Sequence, residues 1–316
     1  MKVTALALVV AGLLVAPAVG PDRAPPAGAD PGPVSQPGPV IDVGDFAYTR
    51  PLAAGPAGLV SVSLDAAVLA HSAFARTGSF ADLRIVDQAG RQVPYLVEHL
   101  DEPLRVPLTL LPPDQPGSPG RSVYLVMLPH AGLPAGRLVL RTNAAVFRRE
   151  VEVEVMRRVD RAGREPSVER VLPTVWRHDN VDGSAAPALS LQLPPPPSDR
   201  LQLIVSEGDN VPLPITGVEL QLPMYRVRFH RPAQTALSML YGRPGLAAPE
   251  YDLALLRREV LGSAATEITA GAERQQAPGP GRTVLPPTAF WMILVGAVVA
   301  LVWLIAMLVR MVGQDT

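Results

Sequence analysis

The chain has no cysteine. Disulfides, thiolate metal sites and cysteine nucleophiles are therefore excluded, and stability has to come from core burial. Lysine occurs once, at position 2, so a chain processed beyond that point has no Schiff-base amine. Net charge is −1, which leaves no basic excess for a nucleic-acid partner. The five histidines (71, 99, 130, 178 and 230) include no HExxH-like pair. No G-x-S-x-G and no P-loop occurs either, so zinc hydrolysis, α/β-hydrolase chemistry and nucleotide hydrolysis find no motif. Charge is also missing from one long run. Residues 289–309 are 21 residues without an ionisable side chain.

That run makes a helix of roughly 32 Å at 1.5 Å rise per residue, enough for a hydrocarbon core of about 30 Å. With no buried charge it reads as an anchor rather than an ion path. Phe290 and Trp291 stand at its first edge, Gly296 and Ala300 form a small-xxx-small pair for helix pairing, and Arg310 fits a cytoplasmic end. The tail, 311–316, is too short for a domain. At the other end, Lys2, the apolar stretch 3–16 and Ala16-Pro17-Ala18 match a secretory signal peptide cut after Ala18. An uncleaved signal anchor is the alternative, and both place residues 20–288 across the membrane. The expected location is a bacterial inner membrane: single-pass, body in the periplasm, C-terminus in the cytoplasm.

Proline is abundant where those residues are scarce. The 36 prolines, about twice the usual share, oppose long helices and favour short strands joined by turns. Seven fall within 21–39, which reads as an extended linker. The expected order is signal peptide 1–18, linker 19–39, a first β-sandwich 40–112, a second 121–231, then a strand and short helix packed on it through 232–270. A Pro/Gly-rich stalk 271–287, the membrane helix 288–310 and the tail 311–316 complete it. The fold class expected is all-β, two jelly-roll-like sandwiches with a C-terminal transmembrane helix.

In the first domain, residues 58–64 alternate as a half-buried strand. Asp65 is placed to cap a helix over 66–74. Residues 83–87, a glycine turn and 91–97 read as a hairpin. Residues 104–110 alternate, with Pro107 marking an edge strand. The run Asp45-Phe46-Ala47-Tyr48, then Pro51-Leu52, Leu64, Ala81-Asp82-Leu83-Arg84-Ile85 and Gly90-x-x-Val93-Pro94, with Tyr241-Gly242 and Tyr251-Asp252-Leu253 further on, resembles an uncharacterised family of bacterial envelope proteins. Its members form a domain of unknown function with a signal peptide, a β-rich periplasmic region and one C-terminal span. The resemblance implies topology and fold, and brings no catalytic residue.

In the second domain, strands are expected at 122–128, 137–142, 150–157, 171–177, 188–193, 200–206, 215–222 and 224–230, the spacing of a sandwich. Glu150–Val155 alternates strictly, valines inward and glutamates outward. A further strand is expected at 235–241 and a helix at 251–261, with Asp252 as its cap and Gly262 as its stop. The order Asn143, Phe147-Arg148-Arg149, Val151-x-Val153-x-Val155, Trp176, Arg200-Leu201-x-Leu203, Asp209-Asn210-x-Pro212-Leu213 and Val218-x-Leu220 is similar to galactose-binding-like jelly rolls of the discoidin type. That similarity implies binding of sugars, lipids or proteins through loops at one end.

Two polar turns carry the candidate ligands. Asp179, Asn180 and Asp182 precede Gly183 in one; Glu207, Asp209 and Asn210 form the other. With 188–193 and 200–206 taken as antiparallel neighbours, counting strand reversals brings both turns to one end as an acidic rim, and the ion such oxygens suit is calcium. A pair of solvated turns needs the same residues. Asp101-Glu102 is a carboxylate pair for glycosidase work only if space separates the groups correctly. Trp176, the only tryptophan outside the span, sits in a strand pattern and reads as core rather than sugar platform. No cofactor, metal or catalytic residue is assigned. The function expected is a non-enzymatic, membrane-anchored binding or accessory protein with a membrane or periplasmic protein partner. A glycan-binding module is the alternative, and a hydrolase comes third.

Overall fold

The computed structural model describes residues 38–111, 119–156, 168–180, 183–277, 291–292, 294–299, 301 and 303. The stretches expected to be signal peptide and linker up to 37, the one expected to be a stalk beyond 277, Asp182, Ala300 and the tail lie outside these. Among the described residues no helix is long and apolar enough to cross a membrane. The described members of 289–309 are helical with exposed side chains.

The chain is all-β with few helices. A 3₁₀ turn, Val43–Asp45, opens it, with the Asp42 carboxylate accepting from the Gly44 N–H at 2.9 Å. Strands β1 (Tyr48–Pro51) and β2 (Gly58–Leu64) follow. Asp65 then caps α1 (Ala66–His71), accepting the Val68 N–H at 3.2 Å. The expected single helix stops early. Ser72 turns extended, and α2 (Phe74–Thr77) restarts beyond it, ending on left-handed Gly78.

Next come β3 (Arg84–Asp87), β4 (Tyr95–Leu108), β5 (Leu110–Leu111), β6 (Arg121–Met127), β7 (Gly136–Thr142) and β8 (Phe147–Met156). They are followed by β9 (Val168–His178), β10 (Leu189–Leu193), β11 (Arg200–Ser206), β12 (Ile215–Arg231) and β13 (Leu237–Tyr241). A 3₁₀ turn, Asp252–Leu256, runs into α3 (Arg257–Gly262), and β14 (Thr266–Ile268) and β15 (Arg274–Gln275) close the described body.

Three sheets result. The first has order β15-β1-β13-β3, the second β10-β7-β12-β2-β14, and the third β5-β6-β11-β8-β9. β12 organises the second. Its first half pairs with β7 and its second half with β2, while β4 runs along its other edge. The sheet thereby joins strands from before residue 112 to strands from after residue 121. Buried residues of all three sheets form one continuous core, from Val60 and Leu83 to Val153, Leu203 and Met239.

The period-2 patterns are legible side by side. Val151, Val153 and Val155 are buried, and the glutamates between them face out to Arg170, 2.8 Å from Glu154. Leu189, Leu191 and Leu193 are buried between exposed Ser190 and Gln192. Trp176 is core: it is 3% exposed, its ring meets Phe147 edge-on at 5.2 Å, and its Nε1–H donates to Pro187 O at 2.8 Å.

Several expected boundaries differ for physical reasons. Residues 215–222 and 224–230 are one strand, because a shift of register between Leu222 and Met224 absorbs Pro223, which has no N–H to give. The stretches around 95 and 104 are likewise one strand, β4, held along its length by β12. Among the described residues no other strand pairs with the far edge of β4, the edge where Pro107 belongs. The turn at Gly90 (φ +76°) forms, but β3 then meets Gln92 only through an isolated bridge and finds its ladder on β13. Near the end, Tyr251 rather than Asp252 precedes the 3₁₀ turn, without a side-chain cap, and the helix closes at extended Ser263.

Candidate functional site

The turns expected to carry ligands lie at the ends of β9 and β11. Asp179 is exposed, Asn180 adopts φ +52°, and Asp182 lies outside the described residues. Asp179 and Asn210 line one cavity of about 680 Å³, so these two do come to the same end. Its other walls include Arg148, Arg149, Arg177 and His178. Glu207 does not face out. Its carboxylate is buried, takes Arg149 Nε–H at 2.5 Å and accepts the Leu213 N–H at 3.1 Å. Its backbone O accepts from Asn210 Nδ2 at 3.0 Å, closing the turn around left-handed Gly208. Asp209 is exposed. Among the described residues no group of three His, Asp or Glu is placed to hold a metal ion. Gly296 has open space where a Cβ would stand, and its expected partner Ala300 lies outside the described residues.

A second cluster was invisible to motif spacing. His71, at the last turn of α1, stacks on Tyr48 (centroids 4.5 Å) and meets His130 edge-on at 4.9 Å. Its Nδ1 lies 3.0 Å from both carboxylate oxygens of Glu273, and Tyr241 Oη–H donates to Glu273 at 2.5 Å. Burial, then the neighbouring His71, holds the His130 imidazole below its usual range. Burial, then Glu273, pushes the Tyr241 hydroxyl well up. Arg50 sits beside them, bonded to Asp65 at 2.6 Å and to Gly271 O at 2.7 Å. The Glu273 carboxylate is thus engaged by two donors or acceptors already, and the cluster ties residues 271–273 onto β1 and β13. The motif residues of the resemblance are structural too. Fully buried Asp82 accepts the N–H groups of Ala73 (2.7 Å) and Gly242 (2.8 Å), and Arg84 donates to Ala81 O, Leu83 O and Ala247 O.

The third feature is an open aromatic cleft of about 420 Å³ between α2, β4, β12 and the 3₁₀ turn at 252–256. Phe74 and Phe80 stack at 4.6 Å, and Tyr225 meets both edge-on at 4.9 and 5.2 Å. Across from them, Tyr95 and Tyr251 meet at 5.4 Å. Two of the three tyrosine hydroxyls are committed: Tyr95 donates to Leu83 O at 2.7 Å and Tyr251 to Gln92 Oε1 at 3.1 Å. Burial pushes the Tyr251 hydroxyl up to about 12. Tyr225 is half-buried, its hydroxyl is also pushed up by burial, and it has no hydrogen bond among the described residues. Arg257 stands at the rim, one N–H on Val97 O at 3.2 Å and the rest of its guanidinium exposed. Sequence reasoning missed this cleft because its aromatics come from four separate segments. The one local hint was the paired Phe74 and Phe80.

No family model matches the chain, and no curated protein matches it. Two solved structures align over part of it. One is a structure of infectious bursal disease virus, Gt strain: 8% identity, TM-score 0.17, covering 68% of this chain and 70% of that one. The other is a mutant VP2 protein of the same virus in derived particles: 10% identity, TM-score 0.14, covering 57% and 46%. At these scores neither carries an argument about fold or function.

Proposed function

We propose that the chain is a single-pass protein of the bacterial inner membrane whose all-β body works in the periplasm as a binding or accessory module for a membrane or envelope protein. The apolar stretch 289–309 and the signal-peptide pattern at 1–18 support the location. On this reading the body comprises two β-sandwich units, the second galactose-binding-like, that share the sheet organised by β12 rather than dividing between residues 112 and 121. The observation that carries the function is the aromatic cleft. A volume of about 420 Å³ falls in the range of ligand pockets, and its walls are the rings that anchor protein interfaces. Tyr225 Oη, without a hydrogen bond among the described residues, adds a polar group that fixes the orientation of an occupant.

No catalytic step is assigned. The His71–Glu273–Tyr241 chain ends on a buried tyrosine, and among the described residues no hydroxyl nucleophile sits against its imidazole. Trp176 is buried and offers the glycan alternative no platform. The test is a crosslinking pull-down from membranes, run beside a glycan array, with Ala254→Arg as the cleft-filling variant. Ala254 is exposed and lines the cleft, so the longer side chain fills it without disturbing the core. A partner adduct in wild type that is lost in Ala254→Arg supports the reading. A reproducible glycan hit with no co-purifying protein would replace it with the alternative.

A further inference from the structure

The chain itself leads into the aromatic cleft. Gly38 N–H donates to Gln92 O at 2.6 Å, Gln92 N–H to Pro39 O at 3.2 Å, and Ile41 N–H to Gly90 O at 2.9 Å. Val40 bridges Arg91 in antiparallel sense. The partner stretch of this contact continues from Gln92 past Val93 and Pro94 to Tyr95, Leu96 and Val97, three residues of the cleft wall. Gln92 links the two places directly, because its Oε1 accepts the Tyr251 hydroxyl within that wall.

We propose that the cleft is a receptor for polyproline II segments, and that its occupant is the chain's own residues 21–37. This rests on the cleft being the binding site named above. The segment fits by chemistry. Pro37 and Pro33 fix their own φ near the polyproline II value and bias the residues before them to extended backbone. Polyproline II is the conformation such a composition favours, and grooves walled by aromatic rings are what recognise it. It fits by length, since 17 residues at about 3.1 Å each reach roughly 50 Å, more than enough to cross the cleft from its tether. It fits by charge, since Asp22 and Asp30 against Arg23 leave the segment net negative and Arg257 stands on the far rim. Docked prolines cover the half-buried rings of Tyr225 and Tyr251, with buried Tyr95 behind them, and a carbonyl of the segment accepts the Tyr225 hydroxyl. A protein partner then enters by displacing the segment, so its own contact is also an extended, proline-containing stretch.

The absence of native cysteine makes the test clean. Ser35→Cys is combined with Ala248→Cys at the exposed cleft rim, and separately with Ser190→Cys on the exposed face of β10, in the full chain in detergent. The cleft pair is expected to form its disulfide roughly tenfold faster than the control pair, the gain of a tethered encounter over a random one. Excess synthetic peptide of residues 21–37 slows it, and Ala254→Arg abolishes it while the melting temperature holds. Equal rates for the two pairs, or a cleft-pair rate indifferent to both peptide and Ala254→Arg, overturn the proposal. Equal rates together with a partner adduct that still requires an open cleft overturn the segment's role alone. A partner adduct indifferent to Ala254→Arg overturns the cleft reading beneath it.

Discussion

Replacing Glu207 by glutamine tests whether this turn is held by a buried ion pair or holds a ligand. The Arg149 and Glu207 side chains are 7% and 3% exposed and 2.5 Å apart. Glu207→Gln keeps the size and the acceptor for the Leu213 N–H, and removes only the charge. Arg149 then has two carbonyls left, Arg148 O at 3.0 Å and Val211 O at 3.2 Å, and no anion. Stranding one member of a buried pair costs about 3–5 kcal/mol. The two remaining acceptors put this case at the lower end, about 3 kcal/mol. At about 2–4 °C per kcal/mol for a domain of this size, the melting midpoint falls by roughly 6–12 °C. The assay is far-UV circular dichroism of the full chain in detergent, with and without calcium. Arg149→Met strands the carboxylate instead and costs a similar amount. The double variant Arg149→Met/Glu207→Gln leaves no charge buried, so its loss is less than the sum of the singles. A midpoint shift under about 1 °C for Glu207→Gln would contradict the pair's structural role. So would a calcium-induced rise in wild type that the variant loses, since that makes Glu207 a ligand.

Two further expectations follow from other contacts. Glu98 takes Arg226 (2.5 and 3.1 Å) and Arg228 (2.7 Å), and the hydrogen bonds from Arg226 foremost hold its carboxyl below the usual range. Its stabilisation is complete above the ordinary glutamate value, about 4.3, and is lost as pH falls through the depressed folded value. Melting midpoints from pH 7 to pH 3 should therefore drop less steeply in Glu98→Gln than in wild type, and parallel curves would refute this. Gly242 has φ +85°, and an added Cβ would stand 2.7 Å from the Tyr48 ring. Gly242→Ala should cost about 2–4 kcal/mol by adding left-handed strain to overpacking, and a melt unchanged from wild type would contradict it.

The strands of the second half were largely legible because their period survives in short windows. Val151, Val153 and Val155 alternate with glutamates that face water, and Arg200–Ser206 has the bounds read for it. The all-β class followed from those patterns and the prolines. The partition of strands among sheets did not. β12 is seventeen residues long, and one register shift at Pro223 lets it serve three partners, which no local pattern encodes. Candidate residues fared by the same rule. Asp179 and Asn210 do line one cavity, but not through the pairing of 188–193 with 200–206 that the reversal count assumes: β10 and β11 lie in different sheets, and β8, antiparallel to both β9 and β11, brings the two turns to one end. Glu207 looked like a surface ligand because its local sequence is polar, yet Arg149, 58 positions earlier, buries it. The cleft aromatics Phe74, Tyr95, Tyr225 and Tyr251 meet only through long-range pairing, so composition showed none of it.

The most direct test of the account places a photoreactive residue at Ala254 in the cleft, and in a separate strain at Ser190 on the exposed face of β10, in growing cells. Irradiation should give one discrete envelope-protein adduct from position 254 and none from 190. Adducts of equal yield from both positions, or none from the cleft under conditions where the control chemistry works, would contradict a cleft that binds a protein partner.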